Sequence, residues 1–368
     1  MSLHAVVLAG GYGTRLLPFT RRTPKHLLPI GDEPVIAHQL HRLAAAGVES
    51  VVLATSYHAD AFRPALGDGD AYGVRLRYSR EEHPLGTGGA LRHACGLLDL
   101  ASDDDVLVLN GDLITEHDLG AQVAAHRAHR AHRAHRACAV RAGDAPPVLA
   151  TIHGRAVPDA SAYGLLHLDE AGRVTAFEEK PPSAPAGVVN AGTYVVSPAL
   201  VDLVPVDAVV SLEREVFPEA SERGGVFVHR DDAPFHDIGT PAALLAANLA
   251  WARERDLDAV DLRAGAVAGT PDAGAIRGSL LLGGSRVAAD AIVNGCIIGP
   301  GAVVGAGAVL DDCVIGDDAV VTPGVRARRV TLDVGERLGQ EPHQRLEGSP
   351  AETVGPRARS GDEHLRDE

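Results

Sequence analysis

Aromatic residues make up only 4% of the 368-residue chain, with one tryptophan, six tyrosines and six phenylalanines. Stacking platforms for single-stranded nucleic acid need such rings, so composition excludes that class of surface. Cations are scarce too: 34 Lys+Arg stand against 49 Asp+Glu, a formal net charge of −15, and no basic stripe stands outside one His/Arg run. Nucleic acid is therefore not an expected partner. The four cysteines, Cys95, Cys138, Cys296 and Cys313, lack CxxC spacing, which points to a reduced compartment rather than a disulfide framework or a zinc ribbon. No apolar run nears the roughly 20 residues of a membrane span. The opening MSLHAVVLAGG starts a strand at once, without a charged region ahead of an apolar one. A cytoplasmic protein with no membrane partner is the expectation.

What remains is an ordinary apolar share of 45%, in which aliphatic residues and alanine must build the core. The length suits one substantial α/β domain and a smaller module. Through residue 255, short apolar runs alternate with amphipathic stretches: His4–Ala9, Val35–Ala46, Ser50–Thr55, Leu85–Leu98 and Asp105–Asn110. Strand, helix, strand, helix predicts a mostly parallel sheet covered on both faces, and such sheets bind ligands at the carboxyl ends of their strands. Tyr163–Asp169, Val174–Phe177, Asn190–Val196 and Gly225–Val228 read as further strands, and Pro241–Arg255 as a closing helix.

After a linker over 256–275 the pattern changes. Ile276, Leu282, Val287, Ile292, Ile298, Val304, Leu310, Ile315 and Val321 recur at five- or six-residue spacing with Gly, Ala, Asp or Asn between them. That period fits neither a helix nor an alternating strand; it is the mark of a parallel β-helix, predicted over 276–333, whose flat sides each bury one aliphatic residue. Residues 334–368 are polar and rich in charge, and are expected to form a disordered tail.

AHRAHRAHRAHR, residues 125–136, is the one low-complexity run. Its period of three drifts about 60° around a helix per repeat, so the histidines do not hold one face. A solvated helix lengthened by tandem duplication is the expected reading, ahead of metal binding by His126, His129, His132 and His135, because the supporting carboxylates of a metal site are not adjacent in sequence.

The chemistry-bearing text is VVLAGGYGTRLLPFTRRTPKHLLPI, residues 6–30. A hydrophobic strand runs straight into Gly10-Gly11-Tyr12-Gly13-Thr14-Arg15, and Lys25 follows. Glycines let backbone N–H groups come close to phosphate or base. The loop is neither GxxxxGK[ST] nor GxGxxG, since Leu16 stands at the last glycine of the latter. In so acidic a chain, two cations beside a glycine cradle at the end of the first strand make a plausible triphosphate clamp.

GGxGTRL followed by PKxLxP resembles the signature of the sugar-nucleotide pyrophosphorylases. EEHPLGTGGAL (81–91), VLNGD (108–112), AYGLLHLDEAGRVTAFEEKP (162–181), NAG (190–192), VSLEREVFP (210–218) and HDIGTP (236–241) follow in that family's order. The wording is most similar to the mannose-1-phosphate guanylyltransferases. The resemblance implies a Rossmann-like three-layer fold of the nucleotide-diphospho-sugar transferase type with a short left-handed parallel β-helix, and transfer of GMP from GTP to a hexose or cyclitol 1-phosphate. The same reaction with dTTP, UTP, CTP or ATP, or an inactive homologue that senses NDP-sugar, are the alternatives.

Carried residue by residue, the resemblance implies that Leu8, Gly10, Gly11, Gly13, Thr14, Gly86, Thr87, Asn110 and Gly111 bind the nucleotide. Arg15 and Lys25 would meet the triphosphate. Gly164, Glu179, Lys180 and Asn190 would hold the sugar phosphate, and Asp112 and Asp237 would chelate Mg²⁺ or another divalent cation. Alone, Asn110-Gly111-Asp112 is a common turn and Asp237 a poorly spaced cap for the helix from Pro241. Departures at Pro18-Phe19-Thr20, His26 and Phe235-His236 bear on the acceptor rather than the reaction. A homodimer or higher assembly is expected from the aliphatic β-helix.

Overall fold

The alternation in β1 (Leu3–Ala9) decides the layers. Ala5, Val7 and Ala9 are buried with Ile36, Leu40 and Leu43, whereas Val6 and Leu8 are buried on the other side with Leu91, Ala94 and Val210. A strand apolar on both faces has to lie in a sheet covered twice. The covers are α1 (Val35–Ala45) and α3 (Leu119–Ala139) on the first face and α2 (Gly86–Cys95) on the second.

The computed structural model describes residues 2–56, 58–139, 147–181, 186–257, 260–261, 276–339 and 346–347. It divides into two units, Met1–Trp251 and Ala252–Glu368. In the first, β1 is joined by β2 (Ser50–Thr55), β3 (Arg75–Arg80), β4 (Asp105–Asn110), β6 (Ala150–Val157), β7 (Gly164–Leu168), β8 (Val174–Glu179), β9 (Gly187–Val196) and β10 (Val226–Arg230). Among the described residues they form one nine-stranded sheet in the order β8-β7-β9-β4-β1-β2-β3, with β6 on β9 and β10 on β6. The strands β1 to β4 are parallel, as the alternating pattern predicts. Beyond them the sheet is mixed: β9 runs antiparallel to β4, β6 and β7, and β7 to β8. Short connections such as Asp169–Arg173 allow hairpins there, where no helix is available for a crossover.

Two shorter strands stand apart and matter for the site. β5 (Leu113–Thr115) and β11 (Phe235–Asp237) pair antiparallel, with Asp237 opposite Leu113. Helix α4 (Pro241–Arg253) follows, capped by Thr240, whose hydroxyl accepts from the Ala243 N–H at 3.2 Å. Asp237 is therefore not the cap.

In the second unit, two- and three-residue strands stack into three parallel ladders, the arrangement of a β-helix. Ile297 pairs with Val314, Val314 with Thr331, and Val303 with Val320. Residues one coil apart differ by 17 positions, one fewer than three hexapeptides. Ile298, Val304, Leu310, Ile315 and Val321 are buried as the spacing predicts. Ile292 is not: it is 42% exposed, and Val293, the middle residue of its strand and the partner of the buried Leu310 one coil on, points inward instead. Strands at Arg337–Leu338 and Leu346–Glu347 carry the ladders past residue 333, where a disordered tail is expected. Val260–Asp261 pairs with Leu280–Leu281 inside the expected linker. Most of 256–275 and 348–368 lies outside the described residues. Among the described residues no helix is long and apolar enough to cross a membrane.

The first unit buries several histidines. His117 stacks on His153 with ring centroids 3.8 Å apart, and its two ring nitrogens face Thr115 Oγ1 at 2.9 Å and Gln122 Oε1 at 3.0 Å. Burial lowers the pKa of His26 and of His117 from 6.5 to about 3, and that of His126 to about 4. In the unfolded chain these imidazoles take up a proton near pH 6.5, whereas in the fold they stay neutral, so stability is full above pH 6.5 and is lost as pH falls. At pH 5 the linkage costs about 2 kcal/mol for each of His26 and His117. Melting temperature should therefore fall clearly between pH 7.5 and pH 5, and His117→Gln should flatten the fall; an unchanged melting temperature across that range contradicts the account.

Candidate active site

The carboxyl ends of β1, β2 and β4 lie side by side, because β1 pairs Leu8 with both Ala54 and Asn110. The segments leaving these ends meet. Gly11 N–H donates to Ser56 Oγ at 3.4 Å, and Gly111 N–H donates to Leu8 O at 2.9 Å. Gly13 sits at φ 63, its carbonyl held by the Thr20 hydroxyl at 2.8 Å. At Gly111 a Cβ would stand 2.7 Å from Leu8 O and 2.9 Å from His26 Cδ2. Only glycine lets β4 continue past β1 at that distance, so the residue is set by packing as well as by turn chemistry.

The charged residues converge on this edge. Lys25 Nζ is ion-paired with Asp112 Oδ2. Ile238 N–H donates to Asp112 O at 2.8 Å, which sets the Asp237 backbone beside Asp112 across the β5–β11 pair. Arg15 lies against Asp237: a Cβ at Gly239 would meet Arg15 Nη2 at 2.8 Å and Asp237 Oδ1 at 3.1 Å. Lys180 follows β8, its N–H donating to Tyr163 O at 3.1 Å and its Nζ 3.5 Å from Glu179 Oε1. Its φ of 48 is one that non-glycine residues rarely adopt, and it occurs directly before Pro181. Strain of that sort gathers at functional positions.

The electrostatics agree with the geometry. Close packing around Asp237, which keeps a solvent-open face, and then the neighbouring Asp112 push the Asp237 carboxyl up, against the pull of Arg15, Lys25 and Lys180. Burial alone would raise Asp112 as well, yet Lys25 with His26 holds it below the usual range. Two adjacent carboxylates, one raised by the other, are hard oxygen donors of the kind a divalent cation takes together with phosphate oxygens. The pair fits such an ion. Among the described residues, no group of three or more His, Cys, Asp or Glu gathers as a protein-only cage.

The remaining expected residues fall into two places. Gly164 and Glu179 are opposite each other in the β7–β8 pair, and Asn190 lies one step beyond the Val189–Leu165 pair of β9 with β7. Gly86 and Thr87 open α2 against residues 208–212. A Cβ on Gly86 would meet Val210 O at 2.5 Å, and the Gly88 N–H donates to that carbonyl at 2.8 Å. This carbonyl occupies part of the helix N-terminus that a phosphate would otherwise use. Thr87 Oγ1 donates to Glu213 Oε2 at 2.7 Å and accepts from the Leu212 N–H at 2.8 Å. Thr14 is exposed at the start of a short turn, Thr14–Leu16.

Residues that the motifs did not single out link these places. The Tyr194 hydroxyl, fully buried, donates to Glu213 Oε1 at 3.3 Å and accepts from Asn190 Nδ2 at 2.9 Å, and Asn110 bonds it as well. Thr87 and Asn110, expected at the nucleotide, and Asn190, expected at the sugar phosphate, thus share one part-buried network through Tyr194 and Glu213. The sequence held a signal for Glu213, a carboxylate inside the ordered segment VSLEREVFP. For Tyr194, buried in an apolar strand, it held none.

Residues 4–254 match the family described as nucleotidyl transferase. A mannose-1-phosphate guanylyltransferase of Mycobacterium tuberculosis is 38% identical over 239 residues, 64% of this chain and 61% of that protein. The catalytic subunit beta of the Drosophila pseudoobscura mannose-1-phosphate guanylyltransferase is 35% identical over 242 residues, 66% of this chain and 60% of that protein. The chain thus matches about three fifths of the length of these relatives. Among solved structures, HddC from Yersinia pseudotuberculosis complexed with GMP-PN aligns with TM-score 0.54 and 28% identity, over 68% of this chain and all of that one. Matched over residues 4–254, more than half of its length, the chain belongs to the nucleotidyl transferase family.

Proposed function

We propose that this chain transfers GMP from GTP to a hexose 1-phosphate or a sugar-like cyclitol 1-phosphate, releasing pyrophosphate and forming an NDP-sugar. The observation that carries the reading is the meeting of Asp112 and Asp237 with Arg15, Lys25 and Lys180 at the carboxyl ends of β1 and β4. A sensor of NDP-sugar would have no need of that full charge set. The guanylyl preference is supported by the names of the relatives and by the GMP-PN complex of HddC.

A non-bridging oxygen of the sugar phosphate attacks the α-phosphorus. A P–O bond forms there as the bond to the α,β-bridging oxygen breaks, and that electron pair leaves with pyrophosphate. The attacking oxygen is already anionic, so no general base is required and the task is to bring two polyanions into line. Arg15 and Lys25, each lying against one of the carboxylates, meet the triphosphate beside the glycine loop. Lys180 meets the 1-phosphate, with Gly164, Glu179 and Asn190 nearest the sugar hydroxyls. Asp112 and Asp237 would hold Mg²⁺, which supplies charge neutralisation to the phosphates when bound.

The direct test is pyrophosphate release with GTP, ATP, UTP, CTP and dTTP against a panel of sugar and cyclitol 1-phosphates. GTP should exceed the others by at least tenfold, and turnover with none of them would end the reading. Lys180→Ala should raise KM for the sugar phosphate by about 10- to 100-fold, as expected when a charge-assisted contact is lost. KM for GTP should change less than threefold; equal rises in both would contradict the role given to Lys180. The same reading has the chain act as a homodimer or larger assembly, which sedimentation of the full chain measures.

A further inference from the structure

We propose that Gln39 is a positioning residue that fixes the Asp112 carboxylate for cation binding, an inference that rests on the reading of Asp112 just given. Gln39 lies on α1 between the apolar residues Ile36, Leu40 and Leu43, and it is 3% exposed. Its Nε2 donates twice, to Asn110 O at 2.9 Å and to Leu113 O at 2.7 Å. Asn110 is the last residue of β4 and Leu113 the first of β5, so the two carbonyls bracket Gly111-Asp112 and nothing else. Both neighbours are acceptors, which fixes the orientation of the amide: the nitrogen must face the turn. Oε1 is then left buried without a hydrogen-bond partner. An acceptor buried without a donor is destabilising. A leucine would fill the same apolar face of α1 without that cost, so packing does not explain the glutamine.

The turn explains it. Gly111 N–H is tied to Leu8 O and Asp112 O to the Ile238 N–H, which anchors the turn on its outer side to β1 and to the segment carrying Asp237. Asn110 O and Leu113 O, which flank the Gly111-Asp112 turn, are held by Gln39. With both tied to the rigid helix α1, the direction in which the Asp112 side chain leaves the backbone is set before any ligand arrives. Without Gln39 these two carbonyls lose that donor and the turn is held only through Leu8 O and the Ile238 N–H, and a carboxylate displaced by about 1 Å binds an ion poorly.

The test uses Gln39→Met, of equal length without donors, and Gln39→Glu, of equal shape with oxygens facing the carbonyls. Mn²⁺ is the probe, titrated by electron paramagnetic resonance into the full-length protein with GTP and no sugar phosphate, alongside Asp112→Asn. In both Gln39 variants the Kd for Mn²⁺ should rise about tenfold or more. In steady state, kcat at fixed low Mg²⁺ should fall by a similar factor and recover at high Mg²⁺, while KM for the sugar phosphate moves less than threefold. A merely structural role lowers the melting temperature and leaves the Mn²⁺ titration unchanged, and that result in either folded variant overturns the proposal. If one variant does not fold, the other decides. If Asp112→Asn binds Mn²⁺ like the unsubstituted protein, the reading of the site itself fails; if it loses binding while the Gln39 variants keep it, only the role of Gln39 falls.

Discussion

Asp112→Asn and Asp237→Asn should each lower kcat by about 10³-fold while leaving the melting temperature within a few degrees. The factor is that seen when one preorganised electrostatic contact to a developing charge is lost. Both substitutions keep shape and remove one negative charge from a site where four other charged side chains are in range. Their effects should differ in form. Asp112 is paired with Lys25, so its loss frees the lysine and removes a cation ligand together, and added Mg²⁺ should restore little. Asp237 is the carboxylate already pushed up by packing and by Asp112. A raised carboxyl takes its proton at a higher pH than an ordinary aspartate, so activity should fall on acidification before ordinary carboxylates titrate, and high Mg²⁺ should shift that limb to lower pH by competing with the proton. In Asp237→Asn the limb should vanish with most of the activity. Rates measured across pH 5–8 at two Mg²⁺ concentrations check both statements, and a doubly substituted protein that still turns over would remove the two-carboxylate account.

Much of this edge was legible from residue order. A strand buried on both faces and a glycine loop with Arg15 and Lys25 follow from local pattern, because strand burial is local and the loop sits at a strand end; the distant aspartates stand out only through the resemblance of the ordered motifs, since alone Asp112 reads as a turn and Asp237 as a cap. The supports were not legible, for a reason their contacts make plain. Gln39 acts 71 and 74 positions away, on Asn110 O and Leu113 O, and reads in sequence as one polar residue on a helix. Tyr194 reads as part of an apolar strand until Glu213, Asn190 and Asn110 are found around its hydroxyl. Backbone acceptors leave no trace in composition, so groups that hold other groups in place are invisible to spacing. The 17-residue coil shows the same limit: five- and six-residue intervals announce a β-helix, but Ile292 and Val293 both keep such intervals to Val287 and Ile298, and only the pairing of Val293 with the buried Leu310 decides which turns inward.

The His/Arg run is where the expectation needs correcting, and it carries the second large effect: Arg127→Ala with Arg130→Ala should destabilise the protein by about 3–5 kcal/mol, the cost of leaving a buried charge without its partner. The run does form a helix and its period does drift, but the first repeats start on the body. His126 is fully buried with Nδ1 3.0 Å from Thr151 Oγ1, His129 stacks on Phe227 at 4.2 Å, and His132 and His135 are exposed. That succession is what a 60° drift per repeat produces on a helix that begins against a sheet. The carboxylate missing from the neighbouring sequence is supplied by the fold: Asp105, wholly buried, takes Arg127 Nε at 2.6 Å and Arg130 Nη1 at 2.7 Å, while Arg133 donates to Gly224 O at 2.8 Å. Asp105 begins β4, the strand that ends at Asn110 before Asp112. For a unit of this size the double substitution should lower the melting temperature by roughly 6–20 °C, whereas His132→Ala and His135→Ala, on the exposed side, should stay within about 0.5 kcal/mol. The cause is separable from lost helix packing, since adding Asp105→Asn to the double variant removes the orphaned charge and should recover more than half of the loss. A double variant within 1 kcal/mol of the parent, or a triple variant weaker than the double, would mean that Asp105 is not held by these two arginines.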